Sequence, residues 1–401
     1  MNRRNFVIAG GAAALAAAGA GSAAHGDIRP LPLRLDPMRH RFGVNYTPSH
    51  NWWFCWNDWD ATPIERDLDA IAALGADHMR VLLIWPYFQP NPQWVSGAHL
   101  DRLNQLITLM DERKLDALVT VFTGQLSGWY FLPPFNRQAS GFFTDATMWG
   151  AEVLLVREIG RVLRPHGNII GFDMGNEINT CWSAATKDGD AWMARMLGVM
   201  SQELPGHLNV NGVDHAPWFK VATFSPHALV NDQRMPVMHC YPYWTGAMKY
   251  GGAMDPPSVR LMGAMAALIR SYAGTQQKPV WAGEFNTCIK ELTEKQQAAW
   301  LEKAVTAAID EGVSWFSYWD SHDVDRKFAF NPLEYSLGLL TNDGHEKEQG
   351  RVFKQLAAAY RGKPVAFSKA SLPEPPSSQT MDATWQWILD WLGWKAPAAQ
   401  L

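Results

Sequence analysis

The sequence predicts an α/β chain folded as a (β/α)8 TIM barrel with elaborated βα loops and a short C-terminal helical tail. Three observations predict it. Eight short apolar or β-branched runs alternate with longer segments of helical periodicity from about Phe42 to Tyr360, with no break in composition. Of the 401 residues, 47% are hydrophobic and 18% charged, enough apolar material for a large core and too much for a disordered chain. The structural alternative is an open doubly wound sheet, but the Gly-rich dinucleotide fingerprint expected after its first strand is missing.

Phe42-Gly43-Val44-Asn45-Tyr46 is the first strand-like run. Ile64, Leu68, Ile71 and Leu74 then recur at helical spacing over Pro63 to Leu74, with Thr62 placed to cap the helix and Pro63 in its first turn. His78 to Trp85 is the second strand, and His99 to about Lys114 the helix behind it. Ala117 to Thr123, a helix near Met148 to Leu163, Ile169 to Ile178 and a helix around Asp190 to Gln202 continue the alternation. Further runs at Phe219 to Phe224, Pro236 to Tyr241, Pro279 to Phe285 and Val313 to Trp319 complete the eight. The fifth crossover fits poorly. Only Ser225 to Arg234 separate the fifth and sixth runs, so a short helix or a 3-10 turn is expected there.

Both ends differ from the barrel. Arg3-Arg4, Phe6 and an Ala/Gly-rich apolar stretch ending in Ser22-Ala23-Ala24 make residues 1–24 an export signal, with the Arg pair resembling a twin-arginine signal. No second run reaches the 18 or so apolar residues needed to span a bilayer, so the expectation is a soluble periplasmic or secreted protein. Residues 27–363 are assigned to the barrel, 364–381 to an extended linker around Leu372-Pro373-Glu374-Pro375-Pro376, and 382–401 to a Trp-rich helix and tail. That helix is expected to dock on the outer helices, with peripheral contact to a membrane or partner as the alternative.

With 35 Lys+Arg against 39 Asp+Glu and no basic stripe, nucleic acid is excluded as a partner. Cys55, Cys181, Cys240 and Cys288 form no C-x-x-C pair; they are buried thiols, or two of them pair after export, and spacing does not say which. The 20 Trp are twice the 10 Tyr and exceed the 18 Phe, more than a core alone would take, so many must line a surface or cleft.

In a (β/α)8 barrel the reacting groups project from the C-terminal ends of the strands. The fourth run ends Asp173-Met174-Gly175-Asn176-Glu177, and the seventh Trp281-Ala282-Gly283-Glu284. Two carboxylates facing one another across the barrel mouth are the pair that breaks a glycosidic bond, with retention at about 5 Å separation and inversion at about 6.5–9.5 Å. Asp173 is a rival acid whose depth in the strand favours a structural role. Asp320, His322, Asp323 and Asp325 match no familiar metal-ligand spacing, and no metal or cofactor is expected.

Arg80, Asn176-Glu177, His239-Cys240-Tyr241, Gly283-Glu284 and Trp319, in that order and on those strands, resemble the active-site set of the glycoside hydrolase clan exemplified by the family 5 cellulases and mannanases. The resemblance implies a retaining glycosidase acting on β-linked glucan or mannan-type saccharides, with Glu177 as acid/base and Glu284 as nucleophile. Arg80 and Tyr241 are then expected to hold Glu284 ionised, Asn176 to bind the sugar 2-hydroxyl, His239 to reach the acid/base or a hydroxyl, and Trp319 to floor the reacting subsite. Family 5 cellulases commonly place a His at the end of the third strand. Here the run is Val121-Phe122-Thr123-Gly124-Gln125, with Gln125 or Trp129 as replacements.

Trp52, Trp53, Trp56, Trp59, Trp85, Trp94, Trp129, Trp182 and Trp244 follow strands on the same face, and Trp53, Trp85, Trp129 and Trp182 are taken as sugar-binding platforms. Two rival readings share this barrel: a transglycosylase using the same glycosyl ester, and a non-catalytic carbohydrate-binding protein, which the presence of both carboxylates disfavours. The oligomeric state is not legible.

Overall fold

A computed structural model describes residues 32–136, 141–287, 292–328, 331–367 and 371–395. The export signal read over residues 1–24 lies outside them.

Eight parallel strands form the barrel: β1 (Arg41–Asn45), β2 (His78–Ile84), β3 (Asp116–Thr123), β4 (Ile169–Asn176), β5 (Val210–Gly212), β6 (Val237–Cys240), β7 (Trp281–Phe285) and β8 (Trp315–Tyr318). Their order is β5-β4-β3-β2-β1-β8-β7-β6, and β8 closes onto β1 through the register Arg41↔Trp315 to Val44↔Tyr318. Almost every strand residue is buried, as expected when helices cover the outside and side chains fill the inside. Inside the barrel Leu118, Ile170, Val210, Val237, Trp281 and Trp315, one from each of β3 to β8, form a separate apolar plug on the N-terminal side of the polar residues described below.

The helices are α1 (Ala61–Ala73), α2 (Gly97–Glu112), α3 (Ala146–Leu163), α4 (Thr186–Glu203), α5 (Pro226–Asn231), α6 (Leu261–Ala273), α7 (Glu294–Asp310), α8 (Glu348–Tyr360) and the C-terminal α9 (Met381–Leu392). Asp60 rather than Thr62 caps α1, its carboxylate accepting from the Thr62 N–H at 2.9 Å. Asp145 caps α3 in the same way.

The sequence misplaced one strand. Phe219 to Phe224 is not β5: Ala216–Phe219 is a helical turn opened by Pro217, and Trp218, Phe219 and Phe224 are buried in the large apolar core. The true β5 is only three residues long, is polar at Asn211, and pairs with β4 through Asp173↔Val210 and Asn176↔Gly212. This resolves the short crossover, since the chain from Gly212 to Val237 has room for the turn and α5.

The tail helix α9 buries Trp385, Ile388, Leu389 and Leu392. It docks on the barrel through Trp385 Nε1–H to Thr245 O (2.9 Å), Thr384 Oγ1–H to Phe219 O (3.1 Å) and Trp394 Nε1–H to Tyr250 O (2.8 Å). Among the described residues no helix is long and apolar enough to cross a membrane.

Candidate active site

Arg80, near the middle of β2, is completely buried. Burying a guanidinium costs several kcal/mol unless its donors are met, and here they are. Nε and Nη2 bind Asp173 at 2.8 and 2.7 Å, Nη1 binds Glu284 at 2.5 Å and Asn45 Oδ1 at 3.1 Å, and Nη2 also reaches Asn176 Oδ1 at 3.0 Å. Asp173 accepts two further bonds, from Thr120 Oγ1–H (2.9 Å) and the Gly212 amide (2.8 Å), so its carboxylate is committed to structure and it is not a rival acid. A Cβ on Gly212 would lie 2.9 Å from Asp173 Oδ2 and 3.0 Å from Arg80 Nη2, which leaves no room for a side chain beside the pair.

Glu284, the fourth residue of β7, holds Oε1 against Arg80 and Oε2 against the Tyr241 hydroxyl at 2.8 Å. The sequence expected these partners to keep its pKa low. They do oppose the rise, together with His239, but burial outweighs them and the net direction is upward.

Glu177 follows β4 in the left-handed conformation, φ 46° and ψ 46°, rarely adopted by a side-chain-bearing residue and concentrated at functional sites. Its amide donates to Gly212 O at 2.9 Å, and its side chain, 19% exposed, turns over the cavity. Desolvation and then the Asp214 charge push its carboxyl up to about 8, against a smaller downward pull from Arg80. His239 Nδ1 lies 2.8 Å from Glu177 Oε1 and 3.5 Å from Glu284 Oε1. Burial lowers this histidine to about 4, so the ring is neutral near pH 7. One oxygen of each glutamate and one ring nitrogen of His239 all lie within 4.8 Å of one another. Three such groups could share a metal ion, but the Arg80 guanidinium already supplies positive charge to Glu284 at 2.5 Å.

A cavity of about 390 Å³ opens over this pair. Gln125 and Ser127 after β3, Asp214 and His215 after β5, Tyr243 and Trp244 after β6, and Trp319, Leu333 and Glu334 after β8 line it. Asn176 lines it too, oriented by Arg80 and by its Nδ2–H bond to Gln125 O at 2.9 Å. Of the two replacements for the missing third-strand histidine, Gln125 reaches the cavity and Trp129 does not.

Trp53, Trp85, Trp129 and Trp182 are not among the residues that line the cavity, which corrects the sequence reading. Trp53, 2% exposed, lies tilted against Trp52 with ring centroids 4.1 Å apart and packs against Trp319, the rings 6.3 Å apart. Trp85 is fully buried with Trp182 5.6 Å away, and Trp182 stacks on Phe142 at 4.2 Å. Trp129 stands edge-on to Trp52 at 5.8 Å. The loops after β1 to β4 thus pack into an aromatic shell, because large rings on neighbouring loops gain more from each other than from solvent. Trp319 does line the cavity, as expected, and so does Trp244, 55% exposed.

Asp214, His215, Tyr243 and Glu334 were missed. The first two directly follow β5, and reading Val210-Asn211-Gly212 as the strand would have placed them at its C-terminal end. Elsewhere, Asp323 is paired with Lys347 at 2.7 Å and Asp320 Oδ2 accepts from Thr47 Oγ1–H at 2.7 Å, while Asp320 Oδ1 and His322 Nε2 are buried without a hydrogen-bond partner. Cys55, Cys181 and Cys240 are free thiols; Cys288 lies outside the described residues.

No protein-family model matches the chain, and no curated protein does. Solved structures do match. GH5_18 from Bifidobacterium longum subsp. longum ATCC 55813 is 30% identical, with 89% of this chain and 91% of that chain covered and a TM-score of 0.79. The chain belongs to glycoside hydrolase family 5. Within this family, GH5_18 from Streptomyces cattleya in complex with Manβ1-4GlcNAc matches at 29% identity, 86% and 87% coverage and a TM-score of 0.78. The exo-β-1,4-mannosidase Op5Man5 from Opitutaceae bacterium strain TAV5 matches at 26% identity, over 80% of this chain and 59% of that one, with a TM-score of 0.72. The chain is therefore a family 5 glycosidase.

Proposed function

We propose that this family 5 enzyme is a retaining β-mannosidase that cleaves short β-linked mannosyl saccharides of the Manβ1-4GlcNAc kind, with Glu177 as acid/base and Glu284 as nucleophile. The approach of the two carboxylates to within 4.8 Å carries the reading, because inversion needs a wider gap to seat a water between sugar and base. Glu284, aimed by Arg80 and Tyr241, attacks the anomeric carbon as the glycosidic C–O bond breaks, and Glu177 gives its proton to the departing oxygen. The resulting α-glycosyl ester is then opened by a water that passes its proton to Glu177, which frees Glu284. Asn176 faces the 2-hydroxyl, a contact that tightens as the ring flattens. Trp319 floors the reacting sugar, and the exposed Trp244 and Tyr243 receive the leaving one. A cavity of about 390 Å³ suits a short saccharide. The GlcNAc-linked mannoside bound by the Streptomyces cattleya neighbour supports the substrate class. Residues 1–24 support an exported enzyme, checked by N-terminal sequencing of the secreted or periplasmic protein.

The test is NMR of the first-formed sugar from Manβ1-4GlcNAc and from an aryl β-mannoside, where β-mannose is expected. Glu284→Ala should lose most turnover and regain part of it with azide as an α-mannosyl azide. An α-anomer as first product, or full turnover in both Glu284→Ala and Glu177→Ala, would sink the reading.

A further inference from the structure

The cavity holds a third carboxylate that the double displacement does not use. Glu334 sits on a short 3-10 turn, Pro332–Ser336, which Asn331 pins by accepting from the Leu333 amide at 3.2 Å. The residue is 6% exposed yet lines the cavity, between Leu333 and Leu337. The Ser127 hydroxyl and the Trp319 indole lie near enough to its carboxyl to lower its pKa, but Oε2 forms no hydrogen bond of good geometry. No ion pair to Glu334 is formed among the described residues. Burial, with Glu284 nearby, lifts it to about 7. A buried carboxylate oxygen without a donor is costly in an empty site and is satisfied by a ligand that brings hydroxyls.

Its position says which hydroxyls. Glu177 must deliver its proton to the leaving oxygen, so the leaving sugar lies on the Glu177 side, with Asp214, His215 and Trp244. Glu334 belongs to the loop that follows β8, the strand opposite β4 in the barrel order, and its carboxyl neighbours Trp319 and Ser127 rather than Asp214 or His215. We propose that Glu334 grips the non-reducing mannosyl unit, its free oxygen accepting a hydrogen bond from a hydroxyl remote from the anomeric centre, and so selects the sugar that occupies this end of the cavity. The proposal rests on the mannosidase reading and deepens it.

The experiment measures kcat/KM of the full chain on an aryl β-mannoside and on its 3-, 4- and 6-deoxy analogues, for wild type, Glu334→Gln and Glu334→Ala, with thermal unfolding to confirm that the variants fold. Wild type is expected to disfavour one analogue by about 100-fold or more. Glu334→Ala should lose a similar factor on the parent mannoside and nothing further on that analogue, and Glu334→Gln should fall between. Equal losses on the parent and every analogue, an unchanged parent rate, or a wild type indifferent to deoxygenation would overturn the role given to Glu334 and leave the mannosidase reading standing. A wild type inactive on every β-mannoside would instead remove that reading, and this proposal with it.

Discussion

Glu177 and Glu284 are chemically identical side chains, and only their surroundings distinguish them. Glu284 touches a guanidinium and a phenol hydroxyl, whereas the direct partner of Glu177 is a neutral histidine. Burial raises both carboxyls, Glu177 to about 8, and in the proposed mechanism the proton resides on Glu177 as acid/base while Glu284 is the nucleophile. The general acid works only while protonated, so kcat/KM is expected to fall as pH rises through about 8. Asp214 raises Glu177, so Asp214→Asn should move that alkaline limb to lower pH, read from the kcat/KM profile on a substrate with a poor leaving group. An unmoved limb would show that desolvation alone sets it. His239→Ala removes the ring that bridges both carboxylates and should lower kcat by about 10- to 1,000-fold with a smaller change in KM.

Two helices carry consequences beyond packing. In α3, Glu152 is buried, accepts the Trp192 indole N–H at 2.8 Å, and is pushed by desolvation to about 8 from an ordinary 4.5. Its folded pKa lies above its unfolded one, so between those values the native state holds more protons, and stability is present below the unfolded pKa and lost as pH rises toward 8. Glu152→Gln should flatten the fall in Tm across that range, and an unchanged slope would exclude the group. In α9, Trp385 stacks on Tyr250 at 4.7 Å and hydrogen-bonds Thr245 O, bracing the turn that bears Tyr243 and Trp244. Trp385→Ala should cost about 3–5 kcal/mol in denaturant unfolding. On the proposed mannosidase reading its KM should rise more for Manβ1-4GlcNAc than for an aryl mannoside, since only the disaccharide would place a sugar on that rim.

At the scale of the whole molecule, the barrel is hydrogen-bonded around seven of its eight strand pairs, and the seam between β5 and β6 has no ladder. Amides of β5 and β6 should exchange with solvent faster than those of β2 and β3, as measured by native-state hydrogen exchange. The alternation of apolar runs and helical periods determined the barrel without any structure, because strand and helix periods are local properties of the chain. Glu177 and Glu284 were legible because strand ends must point at the barrel mouth, and Arg80, Asn176, His239, Tyr241 and Trp319 because their order along the chain resembles the family 5 site. What eluded the sequence was long-range. Strand β5 is too short and polar to announce itself, and pairing with β4 rather than its own composition makes it a strand. The loop tryptophans all stand on the right face, but whether a ring meets sugar or another ring depends on neighbours supplied by other loops. Glu334 belongs to a loop without periodicity, and burial beside Trp319, together with an oxygen left without a donor, is decided only when segments distant in the chain close over the cavity.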